Sequence, residues 1–113
     1  MIAADELVAI TDKNSKEINK IEDLLSPNVK LIANGEPEIV PCAKTVEESL
    51  KYLKKYEEIK PKFVYAKDLM QVLTYVESGN ADAGFVWNSI AKKSDKIKII
   101  FKADEKMHKP VII

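Results

Sequence analysis

The chain has one cysteine and one histidine, the residue types best suited to nucleophilic or acid–base chemistry. Cys42 follows Pro41 at the start of a helical pattern, and a helix N-terminus is a setting that activates thiols. His108 lies far along the chain in a lysine-rich stretch, and no second cysteine could resolve an oxidised thiol. A thiol enzyme using Cys42 is therefore one hypothesis, but a small, inert, buried cysteine is commoner. We expect no catalytic residue and no role for His108.

The charged residues argue against several classes of partner. All 18 basic residues are lysine, and 18 acidic residues balance them. Without arginine the chain lacks the bidentate fork that proteins favour for phosphate and guanine, so we expect no nucleic-acid partner. No spacing of His, Cys, Asp and Glu resembles a metal cage. We therefore expect neither a bound metal cation nor a cofactor.

Two predicted helix N-termini offer backbone N–H groups as ligands. Pro41 suits the first helical position, which would leave the Cys42 and Ala43 amides without helical partners. Asp68 is a good N-cap for the other helix, and it would leave the Leu69 amide unpaired. If both helices follow parallel strands, their positive dipole ends meet at one crevice that suits an anion. For either helix alone, a solvated end remains the simpler interpretation.

Apolar runs alternate with helical stripes along the chain, which indicates an α/β fold. The runs predict strands at residues 7–11, 29–33, 63–66, 84–87 and 97–101. Helical spacing marks residues 43–53 and 69–76, with weaker helical segments at 21–25 and 89–93. Strands that are apolar on both faces are typical of a parallel sheet covered by helices. We predict one domain, residues 1–113, folded as a three-layer α/β sandwich with a largely parallel sheet of about five strands.

Several segments together resemble the second lobe of the periplasmic molybdate-binding proteins, which are the solute-binding components of molybdate ABC transporters. These are "LVAITDKNS", "IEDLLSPNVKLIANGEP", "EPEIVPCAKTVEESL", "FVYAKDLMQVLTYVESGNADAGFVWNS" and "KMHKPVII". The resemblance implies one lobe of a type II periplasmic binding protein fold, excised from a two-lobed protein. The apolar run at residues 110–113 fits such a cut, and the fragment shows no export leader.

The resemblance also implies a ligand and a site. Cys42 and Leu69 would give backbone N–H groups to a small oxyanion, molybdate or tungstate, and Trp87 would give a side-chain hydrogen bond. The family usually has alanine, an apolar residue and tyrosine at these three positions. Pro41, Ala43 and Asp68 would lie beside the ligand. Sulfate or phosphate from crystallisation could occupy the same place.

The expected partners are the missing first lobe and an ABC permease, and the parent protein is expected to be extracytoplasmic, either periplasmic or anchored at the cell surface. A different reading is the effector-sensing domain of a transcription regulator, because such domains share the two-lobed fold. The sequences on both sides of this fragment would distinguish the two.

Overall fold

The computed structural model describes residues 6–104 and residue 107. Strands β1 to β5 span Leu7–Asp12, Ile32–Gly35, Phe63–Ala66, Ala83–Trp87 and Ile97–Lys102. Helices α1 to α4 span Cys42–Tyr52, Tyr56–Ile59, Leu69–Glu77 and Asn88–Ala91, and 3-10 helices cover Ile21–Leu25 and Lys60–Lys62. The predicted alternation of strands and helices is confirmed.

The five strands form one mixed sheet in the order β3-β2-β4-β1-β5. Strand β2 pairs in parallel with β3 and β4, whereas β1 pairs antiparallel with both β4 and β5. Four strands therefore share one direction, and β1 alone opposes them. This confirms a largely parallel five-stranded sheet, with one reversed interior strand that the sequence pattern did not reveal.

Helices cover both faces of the sheet, and the sheet separates the core into two apolar clusters. Strand β1 shows the division, because Leu7 and Ala9 belong to one apolar cluster while Val8 and Ile10 belong to the other. Helix α1 packs in the first cluster, and α3 packs in the second. Successive residues of a strand point to opposite faces, so near-continuous apolar strands are buried on both sides. The predicted three-layer arrangement is confirmed.

Strand β2 begins at Ile32, so the predicted strand at residues 29–33 was placed three residues too early. The two residues before Ile32 are bound by the Asp82 carboxylate, whose Oδ2 accepts hydrogen bonds from the Lys30 amide at 2.8 Å and the Leu31 amide at 3.1 Å. The Leu31 carbonyl in turn accepts from the Asp82 amide at 2.8 Å. The Asp82 side chain, which is distant in sequence, therefore holds Lys30 and Leu31, two residues that the apolar pattern assigned to the sheet.

Other element boundaries differ less. Strands β1 and β5 each end one residue later than predicted, and β4 begins one residue earlier. Helix α2 and the 3-10 helix after it were missed, because segments of three or four residues are too short to show a period. Gly79 ends α3 with a left-handed φ of 80°, as the Gly-Asn pair predicted. The predicted apolar terminus at residues 110–113 lies outside the described residues.

Candidate functional site

The carboxyl ends of β2, β3 and β4 lie side by side at one edge of the sheet. Gly35 pairs with Ala66, and the Glu36 amide donates to the Ala66 carbonyl at 2.9 Å. Strand β4 pairs in parallel with the other side of β2, and it ends at Trp87. Because neighbouring strands are only about 4.8 Å apart, the loops that lead into α1 and α3 start together. The loops that lead to the N-termini of α1 and α3 and the end of β4 at Trp87 therefore lie at this edge.

The N-terminus of α1 is built from a main-chain turn. Pro41 has helical dihedrals, φ −57° and ψ −30°, and makes no side-chain cap. The Ala43 amide donates to the Val40 carbonyl at 3.1 Å, and the Lys44 amide donates to the Pro41 carbonyl at 3.2 Å. The prediction of a free Ala43 amide is therefore wrong, because the turn brings the Val40 carbonyl back over it. Cys42 is also engaged in an interaction within the protein.

The Cys42 side chain belongs to the core rather than to the surface. The residue is fully buried and is a member of the first apolar cluster. A reactive thiol needs access to its substrate, whereas structural buried cysteines are inert. The position therefore favours a packing role for the thiol and gives no support to an enzyme that uses it.

The N-terminus of α3 is capped by side chains. Asp68 is extended, and its Oδ1 accepts from the Gln71 amide at 2.9 Å, as predicted for an N-cap. The Gln71 side chain in turn accepts from the Lys67 amide at 2.9 Å. The Leu69 amide has no hydrogen-bond partner among residues 6–104. The sequence reasoning missed Gln71, although an N-cap followed three residues later by Glu or Gln is a known capping signal.

Trp87 ends β4 at the same edge. Its side chain is half-buried and packs against the first apolar cluster, which also contacts Leu69. Within the described part of the chain, its indole N–H makes no hydrogen bond. An indole offers one donor and no acceptor. The edge thus combines backbone and side-chain donors that carry no formal positive charge.

Two cavities lie away from this edge. One, of about 380 Å³, is lined by Asp12, Lys13, Asn14, Glu77, Asp95 and Lys96. The other, of about 220 Å³, is lined by Val64, Tyr65, Tyr75 and Asn80. Neither contains a predicted site residue. In residues 6–104, no three His, Cys, Asp or Glu side chains converge to hold a metal ion. His108, for which no role was predicted, falls outside the described residues.

No helix within the described ranges is long and apolar enough to cross a membrane.

Comparison with known proteins identifies the family. Residues 1–113 match the family of bacterial extracellular solute-binding proteins. The chain belongs to this family. A relative from Bacillus subtilis, assigned as the ABC transporter substrate-binding lipoprotein YvgL, is 38% identical over 111 residues, which are 98% of this chain and 42% of the relative. The relatives named here are solute-binding proteins rather than enzymes.

Two further relatives have names that refer to molybdate or molybdenum. The molybdate-binding protein ModA of Haemophilus influenzae is 33% identical over 101 residues, covering 88% of this chain and 39% of ModA. A structure described as the substrate binding domain of a molybdenum ABC transporter from Clostridium difficile superposes with a TM-score of 0.89 and 43% identity, covering 96% of this chain and 47% of that one. The resemblance found in the sequence is confirmed, and this chain spans about two fifths of its curated relatives.

Proposed function

We propose that residues 1–113 form one lobe of an extracytoplasmic solute receptor that binds molybdate or tungstate for an ABC transporter. Family membership and the molybdate-binding relatives support the transport role. The lipoprotein name of the Bacillus subtilis relative supports a location outside the cytoplasm. The partners in this proposal are the small oxyanion, the other lobe of the parent protein and an ABC permease, and no cofactor is needed.

One observation carries the site: two helix N-termini and the Trp87 indole lie at the same edge of the sheet. We propose that the oxyanion accepts hydrogen bonds from the backbone N–H groups of Cys42 and Leu69 and from the indole of Trp87. Helix N-termini favour anions because the helix dipole presents positive charge there. Fixed amides also bind a dianion without reorganising.

Selectivity in this proposal follows from the lack of acceptors. Molybdate and tungstate carry no proton near neutral pH, so a shell of donors accepts them, whereas protonated phosphate also needs an acceptor. Asp68 is the nearest candidate acceptor in sequence, and its Oδ1 already accepts from the Gln71 amide. This bond holds the Asp68 carboxylate against the first turn of α3.

Calorimetry on the two-lobed parent protein tests the proposal, with molybdate, tungstate, sulfate and phosphate as ligands. We expect molybdate or tungstate to bind most tightly. The 113-residue chain alone should bind them poorly. One lobe would contact only some of the ligand's oxygens and would leave the rest to water. Submicromolar binding by this chain as a monomer would contradict the two-lobe proposal.

A substitution at Trp87 tests the side-chain donor. Trp87→Phe in the parent protein keeps an aromatic ring but removes the N–H. Losing a hydrogen bond to a charged ligand costs about 1.5–3 kcal/mol, so affinity should fall roughly 10- to 100-fold. Trp87→Tyr restores a donor and is the matched control. Unchanged affinity in Trp87→Phe would remove the indole from the proposed site.

A further inference from the structure

Gly35, the last residue of β2, lies against the side chain of Val40. A Cβ atom placed on Gly35 would lie 2.4 Å from Val40 Cγ1 and 2.6 Å from Val40 Cβ. Both distances are far below van der Waals contact, and Val40 is β-branched, so its side chain has little rotational freedom to move aside. Any other residue at position 35 must therefore displace the Val40 backbone.

Val40 is in turn part of the structure that starts α1. Its amide donates to the Glu36 carbonyl at 2.8 Å, and its carbonyl accepts from the Ala43 amide at 3.1 Å. Its side chain is buried in the first apolar cluster. A displacement of Val40 therefore moves the first turn of α1, which contains the Cys42 amide.

The other end of this turn is anchored to the neighbouring strand. The Glu36 amide donates to the Ala66 carbonyl at 2.9 Å, and Ala66 ends the strand that leads to α3. The position of the α1 N-terminus relative to the α3 N-terminus therefore depends on the turn at residues 36–40. The close contact between Gly35 and Val40 fixes the position of this turn against the end of β2.

We propose that Gly35 is a positioning residue for the oxyanion site: its missing side chain lets Val40 seat the α1 N-terminus beside the α3 N-terminus. This inference rests on the proposed function only for its effect on binding. The effect on the position of α1 is independent of any ligand, so the two can be tested separately.

The test uses Gly35→Ala in the two-lobed parent protein. Without ligand, we expect the amide NMR resonances of residues 40–44 to shift while the protein stays folded. Molybdate affinity, measured by calorimetry, should fall roughly tenfold or more, because one donor is misplaced relative to a charged ligand.

Val40→Gly supplies the compensating change. Alanine at position 40 would not suffice, since Val40 Cβ itself lies 2.6 Å from the added carbon. In the Val40→Gly background, Gly35→Ala should change molybdate affinity by less than about threefold. The two substitutions would then be non-additive, as expected of residues in direct contact.

Gly79→Ala is the matched control. Gly79 has a φ of 80° and no atom within 4 Å of an added Cβ, so alanine there strains the backbone after α3 without crowding a neighbour. The substitution should lower the thermal midpoint and leave molybdate affinity unchanged, because it acts at the other end of α3.

The outcomes separate the two ideas. Unshifted amides at residues 40–44 in a folded Gly35→Ala protein would overturn the positioning role. Shifted amides with wild-type molybdate affinity would also overturn it, since the α1 N-terminus would then not matter for binding. Shifted amides that Val40→Gly restores, in a parent that binds no oxyanion, would support the positioning of α1 and refute the proposed function.

Discussion

The N-termini of α1 and α3 lie at the same sheet edge, but they are held by different means. Helix α3 begins with reciprocal side-chain caps, in which Asp68 accepts from the Gln71 amide and Gln71 accepts from the Lys67 amide. Helix α1 has no side-chain cap, and its first turn is closed by main-chain hydrogen bonds that the Val40 and Pro41 carbonyls accept. One helix start is thus fixed by side-chain hydrogen bonds and the other by main-chain hydrogen bonds.

This difference decides what can be learned from each helix start by substitution. The caps of α3 can be removed singly, with the helix otherwise intact. In α1 the corresponding groups are backbone atoms, which side-chain substitutions cannot remove. Side-chain changes at the α1 N-terminus should therefore affect binding little unless they move the backbone.

The largest expected effect is that of Leu69→Pro in the parent protein. Leu69 is the first residue of α3, where proline is tolerated, and Asp68 before it is extended, with φ −154° and ψ 170°, as a residue preceding proline prefers. The substitution deletes the N–H proposed to bind the oxyanion. Molybdate affinity should fall roughly 10- to 100-fold by calorimetry.

Leu69→Ala controls for the lost side chain, which packs against both apolar clusters. It keeps the N–H and should retain most of the affinity even if the protein becomes less stable. A folded Leu69→Pro protein that binds molybdate normally would show that the amide is not a ligand.

The Asp68 cap should matter for stability. Asp68→Ala removes the acceptor for the Gln71 amide, and loss of such a cap typically costs about 1 kcal/mol of the free energy of unfolding. For a domain of this size the thermal midpoint should fall by about 4 °C or more, measured by circular dichroism. Asp68→Asn keeps an acceptor and should stay close to the wild type. Equal losses in both variants would point to the charge rather than the cap.

At the α1 N-terminus, Cys42→Ala in the parent protein should change molybdate affinity by less than about threefold, which is under ~1 kcal/mol. The buried thiol packs in the core, and the backbone N–H survives the substitution. Calorimetry measures the effect beside that of Leu69→Pro. Loss of binding in a folded Cys42→Ala protein would return the thiol to a functional role.

The smallest expected effect concerns an ion pair further along α1. Lys51 Nζ lies 2.7 Å from Glu47 Oε2, and this hydrogen bond lowers the pKa of Glu47 below its ordinary value. A lowered pKa means that the pair stabilises the fold above the ordinary glutamate pKa and loses this effect as the pH falls through the lowered value. Both side chains are about half exposed, so the contribution is small.

Lys51→Met should raise the pKa of Glu47 towards its ordinary value, as followed by NMR titration of the side-chain carboxyl carbon. The same substitution should leave α1 folded and molybdate affinity unchanged, since the pair is remote from the helix N-terminus. A Glu47 pKa that does not move would show that the ion pair does not persist in solution.

The sequence predicted those features that depend on neighbouring residues. The bounds of β3 and the capping role of Asp68 were correct, because an apolar run and an N-cap are local signals. Features that depend on distant residues were not predictable in this way. The Asp82 carboxylate binds the amides of Lys30 and Leu31 just before β2, and the Ala43 amide is occupied because the chain turns at Val40. The reversed direction of β1 appears only in its antiparallel pairing with β4 and β5, which are distant in sequence.

The reversed strand β1 lies between β4 and β5 in the sheet, and this position has a consequence for how the chain reaches its native state. Leu7 pairs with Trp87 and Val8 with Lys102, so both ladders of this strand join segments that are far apart in sequence. The β2, β3 and β4 pairings close shorter loops, which cost less chain entropy and form sooner. We expect β1 to enter the sheet late in folding. Until then this apolar strand is unpaired, so the stage before β1 pairs is the one most exposed to aggregation.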